Sequence, residues 1–178
     1  MKDYAHERLR PMRNWPILKC MATKWLYVVG LLLCLTRDGN AGDSVAKRMV
    51  LAHNFYRSRV GDPPLTWSDD LATRAQEWAT TLIEEGTYAP RRDGRFGENL
   101  FEISGGSANP MQVVSAWASE AANYNHATNG CTARCGHYTQ VVWRSTRLVG
   151  CGVARNANRE VWVCDYAPHG NTIGEWPY

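Results

Sequence analysis

The sequence predicts an α+β domain built in layers, and three observations carry the prediction. Apolar residues recur at helical spacing through the first two thirds of the chain. Alternating and β-branched runs are confined to the last third. Strands and helices do not alternate as βαβ units, which argues against a doubly wound parallel sheet. No internal repeat is visible, so the part that folds reads as one domain.

The N-terminus does not read as part of that domain. Trp25 to Leu35, WLYVVGLLLCL, is an uncharged apolar run too short to span a bilayer, which takes about 20 residues. It follows basic residues and precedes small ones at Gly39 and Ala41, the layout of a signal peptide with cleavage after Ala41. Residues 1–41 are therefore expected to be a leader and residues 42–178 the mature domain, secreted and without an integral membrane segment. Met21 opens a leader of more ordinary length and is a candidate start; N-terminal sequencing of the unprocessed precursor would decide between Met21 and Met1. The leader also dominates the charge. Of the chain's 20 basic and 17 acidic residues it holds 7 and 3, which leaves 13 against 14 in the mature part. With no basic excess there, composition points neither to nucleic acid nor to an anionic membrane surface. Arg91, Arg92 and Arg95 cluster beside Asp93 and Glu98, as in a solvated loop.

Three helices are expected in order. Val45, Met49, Ala52 and Tyr56 make the first stripe, with Asp43 or Ser44 as cap. Leu71, Ala75, Trp78 and Leu82 make the second, capped by Ser68. Val113, Trp117, Ala121 and Tyr124 make the third, with Pro110 at its start, where a missing N–H costs little. The segment YTQVVW, Tyr138 to Trp143, is rich in aromatic and β-branched residues and reads as a strand. LVGCGVA and EVWVCDY both alternate and flank the turn-prone RNANR, so they read as a hairpin. The mature cysteines are Cys131, Cys135, Cys151 and Cys164. An even count behind a leader implies two disulfides in an oxidising compartment, in any of three pairings. A Cys151–Cys164 bond would tie the hairpin arms and contribute roughly 3 kcal/mol in the chain-entropy account. No C-x-x-C pair is present, which sets aside a redox motif or zinc ribbon, and no Asn-x-Ser/Thr sequon follows the leader.

Three residues could carry chemistry. His137 stands where a loop enters the expected strand. Glu120 falls on the apolar stripe of the third helix, three residues after Trp117 and four before Tyr124, where a carboxylate needs a partner or a water-filled cavity. Glu98, in GENLF, is flanked by core-like residues. Each could instead be a structural hydrogen-bonding group, and spacing does not show whether the three converge.

These stretches resemble a known family. LAHNFYR, LTWSDDLATRAQEWA, GENLF, WASEAANYN, CGHYTQVVWR, VGCGVA and VCDYAPHGN…GEWPY are similar, in order, to segments of the CAP superfamily of cysteine-rich secretory proteins, antigen five and pathogenesis-related protein one, and most resemble the last branch. The resemblance covers about residues 44–178. It implies an α-β-α sandwich with a central cleft of two histidines and two glutamates, able to bind a divalent metal such as zinc. Glu98, Glu120 and His137 match three of the four. Pro90 stands where the second histidine belongs, and His53 and His126 lie in other motifs. Zinc binding through His137 is therefore expected to be weak at best, with no cofactor required. Cys131–Cys135 and Cys151–Cys164 match two of the three disulfides of plant members; both cysteines of the third are missing.

Two functions follow as expectations. One is a secreted, monomeric binding module for a sterol or fatty acid, or with a role in defence. The other is a hydrolase using His137 as general base with Glu98 or Glu120, or a metal-bound water. Against the second, no G-x-S-x-G or H-E-x-x-H motif appears. His137 is expected to order the cleft by bonding both glutamates. Pro168 to Tyr178 resembles a peptide released from plant members, with CDYA at the junction; simple packing of this tail on the domain is the preferred reading.

Overall fold

The computed structural model describes residues 39–178, with side chains from Val45 onward. The expected leader and its candidate start at Met21 lie outside the described residues, apart from the last three leader residues, which open the first helix.

Helix α1 spans Gly39–Arg57, beginning four residues before the expected cap, and a 3-10 turn follows at Ser58–Val60. Strand β1 is Thr66–Trp67. Helix α2, Asp69–Glu84, is capped as expected, Ser68 accepting from the Leu71 N–H at 3.3 Å, with Asp69 and Asp70 in its first turn to complement the dipole. Strand β2, Gly97–Ser104, was not anticipated. Helix α3, Pro110–Ala118, opens on Asn109 and Gln112 in a reciprocal capping box. It ends earlier than its apolar stripe suggests and tightens into a 3-10 segment, Ser119–Asn123, which carries Glu120. Short strands β3, Tyr124–Asn125, and β4, Gly130–Cys131, form a small hairpin. Helix α4, Gly136–Val141, lies where a strand was expected. A short apolar run suits either state, and here burial of Tyr138, Thr139, Gln140 and Val141 on every side decides for the helix. Strands β5, Leu148–Arg155, and β6, Arg159–Ala167, form the expected hairpin.

The main sheet has the order β1-β5-β6-β2, with β1 parallel to β5 and the other pairs antiparallel. Strand β6 lies inside it, and its alternation serves two layers. Val161 and Val163 join Ala75, Ala79 and Leu82 of α2 in one core. Trp162, Cys164 and Tyr166 join Met49, Val113, Trp117 and Val141 of α1, α3 and α4 in the other. The result is an α-β-α sandwich. Gly150 and Gly152 explain the glycines of VGCGVA: a Cβ on Gly152 would lie 2.3 Å from the Gln76 backbone, so only glycine lets α2 approach β5 this closely. Cys151 and Cys164 are direct register partners on β5 and β6 and are disulfide-bonded, as are Cys131 and Cys135 before α4.

The tail packs on the domain. The Pro177 carbonyl accepts from the Arg144 N–H, the Trp176 indole N–H donates to the His126 carbonyl, and Asn129 Nδ2 donates to the Glu175 carbonyl. The Tyr178 ring stacks on His126 at 4.7 Å.

Candidate functional site

A cleft of about 470 Å³ opens beside the exposed edge of β2 and the start of α4, lined by Tyr88, Pro90, Glu98, Leu100, Arg134 and His137, with Asn99, Gly136 and Asn171. An adjoining hollow of about 280 Å³ shares Tyr88, Leu100, Arg134 and His137 and adds Phe101, Trp117 and Glu120.

Glu120 and His137 are brought together. Glu120 Oε1 lies 2.8 Å from His137 Nδ1, and its Oε2 accepts the His137 backbone N–H at 2.9 Å. A carboxylate only accepts, so Nδ1 carries a hydrogen. The Trp117 ring stacks beside the imidazole, 6.4 Å between centroids. The 3-10 segment after α3 is what aims Glu120 at α4.

Glu98 lies on the same cleft wall but does not bond His137, contrary to the expectation that His137 would hold both glutamates. Its Oε1 accepts the Arg91 N–H at 2.8 Å. Its Oε2 is buried with no partner among the described residues. The reason is register: Glu98 sits opposite Asp165 of β6, which is ion-paired to Arg74 of α2 at 2.8 Å. Burial pushes the Glu98 carboxyl up to about 7, and the Asp165 charge adds to this against the Arg91 N–H bond and the charges of Arg74 and Arg91. Burial also pushes Asp165 up to about 6, against Arg74 and Arg91.

Sequence reasoning missed the support behind His137. Asn99 Nδ2 donates to the His137 carbonyl at 3.1 Å and approaches the Tyr166 hydroxyl at 3.3 Å. His53 Nδ1 lies 2.8 Å from the Met49 carbonyl and Nε2 lies 2.8 Å from the same Tyr166 hydroxyl. The Met49 carbonyl can only accept, so Nδ1–H donates and Nε2 accepts from Tyr166. Burial lowers the His53 pKa to about 4, against the Met49 hydrogen bond, so the ring is neutral at pH 7. This chain of buried polar groups crosses the domain from α1 to α4. Only the polar residues in LAHNFYR and GENLF, inside otherwise apolar patterns, could have signalled it.

Pro90 lines the cleft where the second histidine was expected, and His126 lies instead against the tail, its Nε2 2.7 Å from the Tyr178 carbonyl. Among the described residues, no three His, Cys, Asp or Glu side chains gather to hold a metal ion. The donor set does not fit a zinc site with three or more protein ligands.

Two α layers on a mixed sheet, with one disulfide across β5 and β6 and one before α4, define a small cleft-bearing sandwich domain of the cysteine-rich secretory type. The chain belongs to the CAP family: the sequence profile of the Cysteine-rich secretory protein family matches residues 50–166. Within it the chain falls in the branch of pathogenesis-related protein 1. It is 43% identical over 166 residues to pathogenesis-related protein 1A of Nicotiana tabacum, covering 91% of this chain and 98% of the tobacco protein. It is 42% identical over 130 residues to pathogenesis-related protein 1 of Arabidopsis thaliana, covering 72% and 80% of the two chains. Among solved structures, venom allergen-like protein 4 of Schistosoma mansoni superposes with a TM-score of 0.61 at 25% identity, covering 75% of this chain and 92% of that one.

Proposed function

We propose that the protein is a secreted, non-enzymatic binding module of this defence-related branch, monomeric, whose cleft takes an amphipathic ligand such as a sterol or fatty acid. One observation carries the reading: among the described residues the cleft is lined by no serine, threonine or cysteine that could act as nucleophile. Its histidine spends Nδ1 and its backbone N–H on Glu120. Leu100, Pro90 and the half-exposed Tyr88 ring supply apolar wall, and the volume lies in the range of roughly 300–1,000 Å³ usual for small-molecule sites. Secretion is supported by the leader pattern and the two disulfides.

Native mass spectrometry of the secreted protein, offered sterols and fatty acids with and without zinc, tests this. A stoichiometric lipid adduct without zinc, weakened by Tyr88→Ala, is expected, and zinc uptake is expected to be weak. His137→Ala should lower stability by about 1–2 kcal/mol, because the half-buried Glu120 loses its partner. The hydrolase reading draws on the same Glu120–His137 pair, which leaves Nε2 as a base when the ring is neutral. Turnover of an ester or peptide substrate that vanishes in His137→Ala at unchanged melting temperature would establish it and end the binding-module reading.

A further inference from the structure

Helix α1 carries a second feature, remote in kind from the cleft. Leu51 is 58% exposed and Phe55, one turn on, 45%. Lys47 and Arg48, four and three residues before Leu51, are exposed on the same helix face, and Arg59 is exposed in the 3-10 turn that follows. The Arg59 guanidinium lies 4.2 Å from the Phe55 ring centroid, which keeps a cation at the edge of the apolar centre. Between Ser44 and Gly61 the sequence has no aspartate or glutamate. On the Lys47 side the face runs into a groove of about 380 Å³ walled by Ala46, Val50, Leu65 and Trp67.

Several arginines of the domain form no ion pair among the described residues, and what sets Lys47, Arg48 and Arg59 apart is that they flank two exposed apolar side chains. Arg74, Arg144, Arg155 and Arg159 each pair with a carboxylate, whereas Lys47, Arg48 and Arg59 form no ion pair among the described residues. Asp62 is buried and paired with Arg144, Asp69 accepts the Trp67 indole N–H, and Asp43, four residues before Lys47, is the one acid within the helix itself. The balanced charge of the mature chain therefore conceals a local excess.

We propose that this face of α1 docks the protein on an anionic phospholipid surface, with Leu51 and Phe55 entering the headgroup boundary and Lys47, Arg48 and Arg59 meeting lipid phosphates. An apolar centre flanked by cations is the pattern of helices that lie in a membrane interface. A protein partner would need about 800 Å² of complementary surface on each side, more than two side chains on one convex helix present. The proposal is independent of the cleft and its ligand.

The test is co-sedimentation of the secreted protein with sterol-free vesicles of phosphatidylcholine alone or mixed with phosphatidylglycerol. Binding to the mixed vesicles should be tighter by on the order of tenfold or more, at about 1 kcal/mol per cation near the surface, and should weaken as salt rises. The triple variant Lys47→Glu, Arg48→Glu, Arg59→Glu should lose the preference. The double variant Leu51→Ser, Phe55→Ser keeps the charges and should lose most of the remaining affinity. All five side chains are exposed, so melting temperatures should stay at the wild-type value. The variants share everything upstream of Val45 with the wild type, so any difference reads this face. No sedimentation with either vesicle, equal sedimentation with both, or wild-type binding by both variants would overturn the proposal; so would capture of an acidic protein by this face without vesicle binding.

Discussion

The two faces of the sheet are built by different means. Against α2 the approach is close: Gly150 and Gly152 bring strand and helix backbones into contact, small and aliphatic side chains fill the core, and the polar ties are few, among them the Arg74–Asp165 ion pair and the two bonds between Gln76 and Val153. Against α1, α3 and α4 the layer is held by side-chain hydrogen bonds, with His53, Asn99 and Arg57 buried among aromatic and aliphatic residues. Regular elements need few such ties, because their own backbone groups are already paired. The second face must also hold irregular pieces, namely a six-residue helix, a 3-10 segment and the tail, whose backbone groups need partners. The cleft forms on that side because irregular backbone ends there.

The largest effect should come from Arg57. Its guanidinium donates to the carbonyls of Pro63, Val141, Trp143 and Thr146 at 2.8–3.2 Å, pinning the loop before β1 and the segment after α4 to α1. Arg57→Ala should cost about 4 kcal/mol in urea denaturation, since four carbonyls lose a charged donor; a loss below about 1 kcal/mol would mean that packing, not this bonding, holds the second face.

Glycine substitutions sharpen the contrast. Gly152→Ala should cost about 3 kcal/mol, because the new Cβ meets helix backbone that cannot yield. At Gly136, on the site side, the nearest atom to a new Cβ is Asn171 Nδ2 at 3.9 Å, so Gly136→Ala should be close to neutral. Equal costs would erase the distinction between the faces.

Two groups shifted by burial titrate in opposite senses. Glu98 has a folded pKa raised from 4.5 to about 7, so its contribution is fully present below 4.5 and is lost as pH rises toward 7. His53 has a folded pKa lowered from 6.5 to about 4, so its contribution is present above 6.5 and is lost as pH falls toward 4. In melting curves across this range, Glu98→Gln should remove a decline toward neutral pH of on the order of 1–2 kcal/mol after solvent screening. His53→Leu should flatten the acid limb, by up to about 3 kcal/mol. If both variants shift the profile in the same direction, the assignment of these groups is wrong.

The smallest effect concerns the tail, and its readout is a cleavage position. Ile173 is fully exposed, whereas Cys164, Asp165 and Tyr166 are buried in β6. Limited proteolysis of the native protein should therefore cut first between Asn171 and Glu175 and spare the 164–167 junction, which opens only when the sheet does.

The sequence by itself determined what depends on local and periodic order. Helix α2 and its Ser68 cap, Pro110 at the start of α3, and the β5–β6 hairpin were legible because pattern, cap and turn chemistry agree within each segment. The candidate cleft residues stood out as polar groups inside apolar patterns, and the family resemblance put them in one cleft; the structure keeps the expected Glu120–His137 pair and separates Glu98 from it. Tertiary structure alone decided the rest. It made Gly136–Val141 a helix, because a six-residue helix is marginal by itself and takes its state from what buries it. It turned Glu98 toward Arg91 and Asp165, because strand register is a non-local choice that a single glutamate in GENLF does not announce. It also ran a buried chain of polar groups from His53 to His137, joining side chains far apart in sequence that only the packing of α1, β2 and β6 brings within hydrogen-bond reach.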